Sequence, residues 1–124
     1  MRTEFREGGG FEEAAAYSRA VRIGQHVAVS GTAARDGGDT YTQTAEALGR
    51  ALAAAAELGA AVGDVLRTRL LLVHGCDWEG AVRAHREAFE GVNPANTTYF
   101  VAGFIPEGVL VEVELDAVVP APPR

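Results

Sequence analysis

Apolar and polar residues along this chain alternate between two periods. Residues 2–6 and the runs YSRAVRI and HVAVSG follow the period of two expected of strands. Gly24-Gln25 between the last two suits a two-residue turn of type II′. EGGGFEEAAA, ahead of them, has three consecutive glycines and predicts a flexible or irregular connection. After the loop ARDGGD the period lengthens. TYTQTAEALGRALAAAAELG predicts a helix with Thr40 as cap and Gln43 completing a capping box. Its apolar stripe runs through Ala45, Leu48, Leu52, Ala55 and Ala56, and Gly59 ends it. VLRTRLLLV is a strand. A second helix starts at Asp77 and repeats Trp78, Val82, His85 and Phe89 at helical spacing. The chain closes with TYFVAGFI, a turn at Pro106-Glu107-Gly108 and VLVEVEL, which together predict a hairpin.

The order β-β-β-α-β-α-β-β predicts one α+β domain spanning residues 1–124, a six-stranded mixed sheet with two helices on one face. LLLV and VLVEVEL are apolar in both phases, so both sheet faces need covering. Two helices cover only one. The remaining face predicts a homo-oligomer in which another subunit supplies the cover.

Composition narrows the function. The net charge is -6, and all 11 basic residues are arginine. Without lysine there is no Schiff-base nucleophile. An acidic chain with no basic cluster argues against nucleic acid as a partner. No apolar run approaches the ~20 residues needed to cross a bilayer. MRTEFREGGG lacks a secretory profile and Cys76 has no partner for a disulfide, so a reducing cytoplasm is the expected setting.

The candidate chemistry is spread along the chain. Glu112 and Glu114 share one face of an apolar strand. Most such pairs sit on a solvated edge, and the alternative is a carboxylate in a cleft that holds or activates water. Arg67 and Arg69 share a face, either as structural ion-pairing residues or as an anion site. Ser30-Gly31 ends a strand with a hydroxyl and an unshielded amide. His85 reads first as a packed histidine. His74-Gly75-Cys76 offers too few ligands for zinc, and no phosphate loop or dinucleotide pattern is present.

Taken in order, YSRAVRIGQHVAVSGTAA, QTAEALGRALAAAAELGAAVGDVLRTRLLLV, DWEGAVRAHREAF and PAN…LVEVELDA resemble the Rid (YjgF) family over nearly the whole chain. The resemblance implies a chorismate-mutase-like fold and a homotrimer with ligand clefts between subunits. In the RidA branch it implies hydrolysis of reactive imines and enamines to a keto acid and ammonia, without metal or organic cofactor. Carried across, it gives Glu112 the attacking water. Tyr17, Ser30, Gly31, Asn96, Thr98, Glu114 and His85 become substrate-binding residues.

The chain departs from the pattern where that branch binds the substrate carboxylate. Pro-Ala-Arg reads Pro94-Ala95-Asn96, and Thr98, Val82 and His85 replace further family residues. These departures resemble a divergent branch that lacks the arginine. A neutral amide cannot replace a guanidinium. Losing the partner of a buried carboxylate costs ~2–5 kcal/mol, so imino acids bind poorly unless Arg67 or Arg69 takes over. Three readings follow: a hydrolase of altered specificity, a non-catalytic binder using the same clefts, and, disfavoured by charge, an endoribonuclease.

Overall fold

The computed structural model describes residues 1–123. Six strands form one sheet: β1 (Arg2–Phe5), β2 (Ala20–Ile23), β3 (His26–Thr32), β4 (Val65–Val73), β5 (Ala95–Val101) and β6 (Val111–Val118). Their spatial order is β1-β2-β3-β6-β4-β5, antiparallel except for the parallel β4/β5 pair. Two long helices, α2 (Thr40–Glu57) and α3 (Trp78–Phe89), cover one face. The sheet is thus the expected mixed one, with both helices on the expected side. No helix is long and apolar enough to cross a membrane.

The core lies between helices and sheet. Val27 and Val29 of β3, Leu70 and Leu72 of β4, and Val111, Val113 and Leu115 of β6 are buried there against Leu48, Ala51 and Phe89. The alternate residues face the other way. That open face carries Arg67, Arg69, Leu71 and Val73 of β4 and Glu112 and Glu114 of β6. Tyr99, opposite Leu71, is 45% exposed, and Ile23 is 56% exposed. A sheet face with such residues lacks cover within the chain.

Four local expectations are corrected. The closing strands do not form a hairpin. β6 enters between β3 and β4, while β5 lies at the sheet edge beside β4. The apolar-in-both-phases β6 takes a central place, and ANTTYFV, exposed along most of its length, takes the rim. The glycine-rich connection contains a helix, α1 (Gly10–Ala15), because the Glu12 carboxylate gathers the backbone N–H groups of Glu7, Gly8 and Gly9.

The cap of α2 is Asp39, whose carboxylate accepts from the Thr42 amide at 2.8 Å. Gln43 is instead buried and reaches across to the 102–110 loop. Finally, the helix stripes are rotated. Thr44, Ala47, Leu48, Ala51, Ala54 and Ala55 face inward on α2, whereas Ala45 and Ala56 are exposed. On α3, Ala81 and Ala84 are buried while Trp78 and Val82 stay about half exposed. Small alanines let the two helices approach closely, so bulk is displaced to the flanks.

Other expectations hold. Ile23 pairs with His26 around Gly24, whose φ of 61° fits the first position of a type II′ turn. Gly59, at φ 93°, follows α2, with the Ala60 amide returning to the Ala55 carbonyl and Gly59 to Ala56, a Schellman motif. Asp77 caps α3 through the Gly80 amide.

Candidate functional site

A concave site of about 780 Å³ opens on the side of the sheet away from the long helices. Tyr17, Ser30, Gly31, Glu112 and Glu114 line it together with Arg19, Glu12 and the Phe104–Pro106 loop. Five residues expected from the sequence therefore meet in one cavity.

Local backbone features aim them. Ala16 ends α1 in the left-handed region at φ 57°, turning the chain so that Tyr17 enters the cavity. β3 bulges at Ser30-Gly31: Val29 faces Leu115 and Thr32 faces Val113, so two residues oppose Glu114. Ser30 fastens the bulge to the preceding segment. Its amide donates to the Arg19 carbonyl at 2.9 Å and its hydroxyl to the Ser18 carbonyl at 2.6 Å. Ser30 thus contributes structure as well as a polar wall.

Gly31 makes room for the Glu112 carboxylate. A Cβ on Gly31 would stand 2.6 Å from Glu112 Oε1. Such a spot accepts only a glycine without displacing the carboxylate.

The two glutamates differ. Glu114 faces Arg69 across the β6/β4 pair at 3.4 Å. Glu112 is half-buried and, among the described residues, accepts no hydrogen bond and makes no ion pair. Burial pushes its pKa up. The nearby Arg19 charge pulls it back and Glu114 adds to the rise. Because β6 is central, this pair is not the solvated edge that such spacing usually marks.

Glu12 behaves differently again. Burial favours its neutral form, yet the three backbone amides and Arg19 outweigh this and hold its pKa below the usual value. Sequence reasoning missed Glu12, Arg19 and the 104–106 loop. Arg19 was legible as the residue in phase with Tyr17 on the strand approach, and Glu12 as a carboxylate two residues after a glycine run.

Asn96, Thr98 and His85 lie elsewhere. Asn96 pairs with Thr68 and Thr98 with Leu70, so both belong to the helix-covered side at the β5 rim. Asn96 Nδ2 donates to Thr68 Oγ1 at 3.0 Å, and the Thr98 hydroxyl donates to Asn96 Oδ1 at 2.7 Å. His85 Nε2 is 2.7 Å from the same Thr68 hydroxyl, its ring is 4.7 Å from Phe89, and burial lowers its pKa. Within one chain the sheet separates this network from Glu112. Val82, Trp78 and Phe100 stand exposed around it.

Arg67 and Arg69 do not line the cavity. Arg67 donates to Thr97 and Arg69 to Glu114.

The comparisons agree with this architecture. The family model described as Endoribonuclease L-PSP matches residues 10–119. An uncharacterised protein of Streptomyces coelicolor is 43% identical over 116 residues, covering 89% of this chain and 87% of that protein. The crystal structure of Rv2704 from Mycobacterium tuberculosis, described as a member of the highly conserved YjgF/YER057c/UK114 family, is 40% identical with a TM-score of 0.91. It covers 96% of this chain and 100% of its own. Escherichia coli TdcF, solved with bound serine, shares the fold at 21% identity and a TM-score of 0.79, over 94% of each chain. A match across nearly the whole chain, in sequence and in fold, means that the protein belongs to the endoribonuclease L-PSP family, also called YjgF/YER057c/UK114.

Proposed function

We propose that this protein hydrolyses a reactive imine, enamine or related enol, with Glu112 holding the attacking water. The observation that carries the reading is Glu112 itself. It is a half-buried carboxylate with a raised pKa and no partner among the described residues, in a concave site beside the bare backbone of Gly31. A carboxylate with a raised pKa is a better proton acceptor than an ordinary one, which suits it to take a proton from water.

In this mechanism water adds to the C=N carbon as Glu112 takes its proton. That proton then goes to nitrogen to give a carbinolamine, Glu112 passes the hydroxyl proton to nitrogen in turn, and as the C–N bond breaks a carbonyl compound and ammonia leave. An enamine is first protonated at carbon. Phe104, Ile105 and Pro106 give the site an apolar wall.

The site is completed by another copy of the chain. The open sheet face with Tyr99 and Ile23, and the exposed rim around Asn96, supply two unlike surfaces for a homotrimer. Clefts between subunits then bring Asn96, Thr98 and His85 of one copy toward Glu112, Tyr17 and Ser30 of the next. Asn96 already spends its carbonyl on Thr98 and its amide nitrogen on Thr68, on the hydroxyl at 3.0 Å and the backbone carbonyl at 3.5 Å, so a ligand would replace the longer of these two contacts.

Endoribonucleolysis fits the site less well. Glu7, Glu12, Glu112 and Glu114 line the cavity, and the chain carries -6 overall, both of which oppose a phosphodiester backbone.

The test is turnover of imines generated in situ, measured by competition with semicarbazide. Glu112→Gln should lower turnover by about 10²–10⁴-fold, the usual worth of a positioned acid–base group. Ligand affinity should change little. Retained turnover in the variant would remove Glu112 from the mechanism. Absent turnover in both proteins would favour the binding reading, for which the loss of arginine at position 96 is the supporting observation.

A further inference from the structure

We infer that Arg19 supplies the positive charge that fixes an anionic group of the ligand opposite Glu112, so that the site selects small carboxylates despite Asn96. The inference rests on the proposed site and names the ligand class it takes.

Arg19 is buried, with its side chain 10% exposed, and it lines the cavity. A guanidinium has five N–H donors. Among the described residues only Nη1 is used, donating to Thr32 Oγ1 at 3.2 Å. Its ion-pair partner, Glu12, stands 3.9 Å from Nε, beyond hydrogen-bond reach. Glu12 is moreover occupied, since its two oxygens already accept the amides of Glu7, Gly8 and Gly9. Arg19 therefore sits in a largely dehydrated place with donors to spare. A planar fork in that condition matches a carboxylate through two parallel bonds. The Tyr17 ring, 5.5 Å from the guanidinium carbon, restricts the side chain.

Arg50, Arg67 and Arg69 are the alternatives, and each is engaged elsewhere, although Arg50 Nε is buried without a partner. Arg50 also lines the cavity, but it donates to the Ala33 carbonyl and, at 2.9 Å, to Glu7. Arg69 is paired with Glu114, and neither it nor Arg67 reaches the cavity. The charge that position 96 lacks is thus present on the approach to β2, in the same chain as Glu112.

The experiment is calorimetric binding of pyruvate and of its neutral amide, pyruvamide, to the full-length protein, with imine turnover followed separately. Wild type should bind pyruvate at least about tenfold more tightly than pyruvamide, and Arg19→Gln should abolish that preference. Arg19→Lys, which keeps the charge but not the fork, should retain part of it. The ratio within each variant is unaffected by a uniform loss of binding. If Arg19→Gln does not fold, the lysine variant and the wild-type ratio still decide.

A wild type without preference for pyruvate overturns the inference. So does a preference that survives Arg19→Gln, or one that disappears in Arg67→Gln or Arg69→Gln instead. Selective pyruvate binding without imine turnover would sustain Arg19 and sink the hydrolase reading. Turnover without carboxylate preference would do the reverse.

Discussion

Gly31 governs where the Glu112 carboxylate can stand. The atom that a new Cβ would strike is the far end of a flexible side chain, not backbone. Gly31→Ala should therefore fold with less than about 1 kcal/mol lost, while the displaced carboxylate lowers turnover by about 10²-fold. Thermal melting beside turnover checks this, and equal losses in both would make Gly31 a folding residue only.

Glu112 also has a stability signature. Its folded pKa is raised, first by burial, so the folded state binds its proton more tightly than the unfolded chain does. That contribution is complete below the ordinary carboxyl value of about 4.3 and is lost as pH rises through the folded pKa. At neutral pH the ionised group burdens the fold. Glu112→Gln should then melt higher than wild type at pH 7, with the gap closing near pH 4. A variant that melts lower at pH 7 would mean that the native carboxylate has a stabilising partner.

Among the elements, the 102–110 connection matters most to the site. It carries Phe104–Pro106 past the cavity and must leave the β5 rim to reach the centre of the sheet. Gln43 of α2 secures it. Its Nε2 donates to the Gly108 carbonyl at 3.1 Å, and its Oε1 accepts the Leu110 amide at 2.9 Å. The side chain is 3% exposed. Gln43→Ala leaves the part-buried Gly108 carbonyl and Leu110 amide without these partners and should cost about 1 kcal/mol. Amide exchange at Leu110 should speed up before the rest of the sheet does, and unchanged protection there would refute the clamp. Gln43 was legible as a polar residue near a helix start, and the sequence supported a cap. Only the return of residues 108–110 beside α2 gives it a distant partner.

For the whole molecule the open sheet face is decisive. Tyr99 contacts solvent in the single chain, so Tyr99→Glu should leave the chain folded. In the proposed homotrimer it would place a charge in the interface. Light scattering should show wild type at three times the chain mass and the variant mostly at one, at micromolar concentration. Imine turnover should fall with assembly if Asn96 and Glu112 of different copies share a cleft. A monomeric wild type would refute the homotrimer.

What the sequence alone determined was whatever depends on near neighbours along the chain. The strand periods, the Gly24-Gln25 turn, the Asp77 cap and the Gly59 stop are local in cause, and each is where its residues predict. The family was legible for a related reason, since its order of motifs survives even where single residues change. Tyr17, Ser30, Gly31 and Glu112, singled out from the sequence, line one cavity. Tertiary structure decided the rest. β6 displaced β5 from the expected hairpin because a strand apolar in both phases gains more by lying between two neighbours. The alanine-rich α2 offered too little difference between its sides to fix its rotation, so packing against α3 and the sheet fixed it. Asn96 and Glu112, sixteen positions apart with a turn between them, read as one site. The sheet puts them on opposite faces, because pairing register, and not sequence distance, sets which side chains share a surface. Arg19 stood in plain view in the sequence. Its meaning came only from the geometry that leaves its donors unspent beside Glu112.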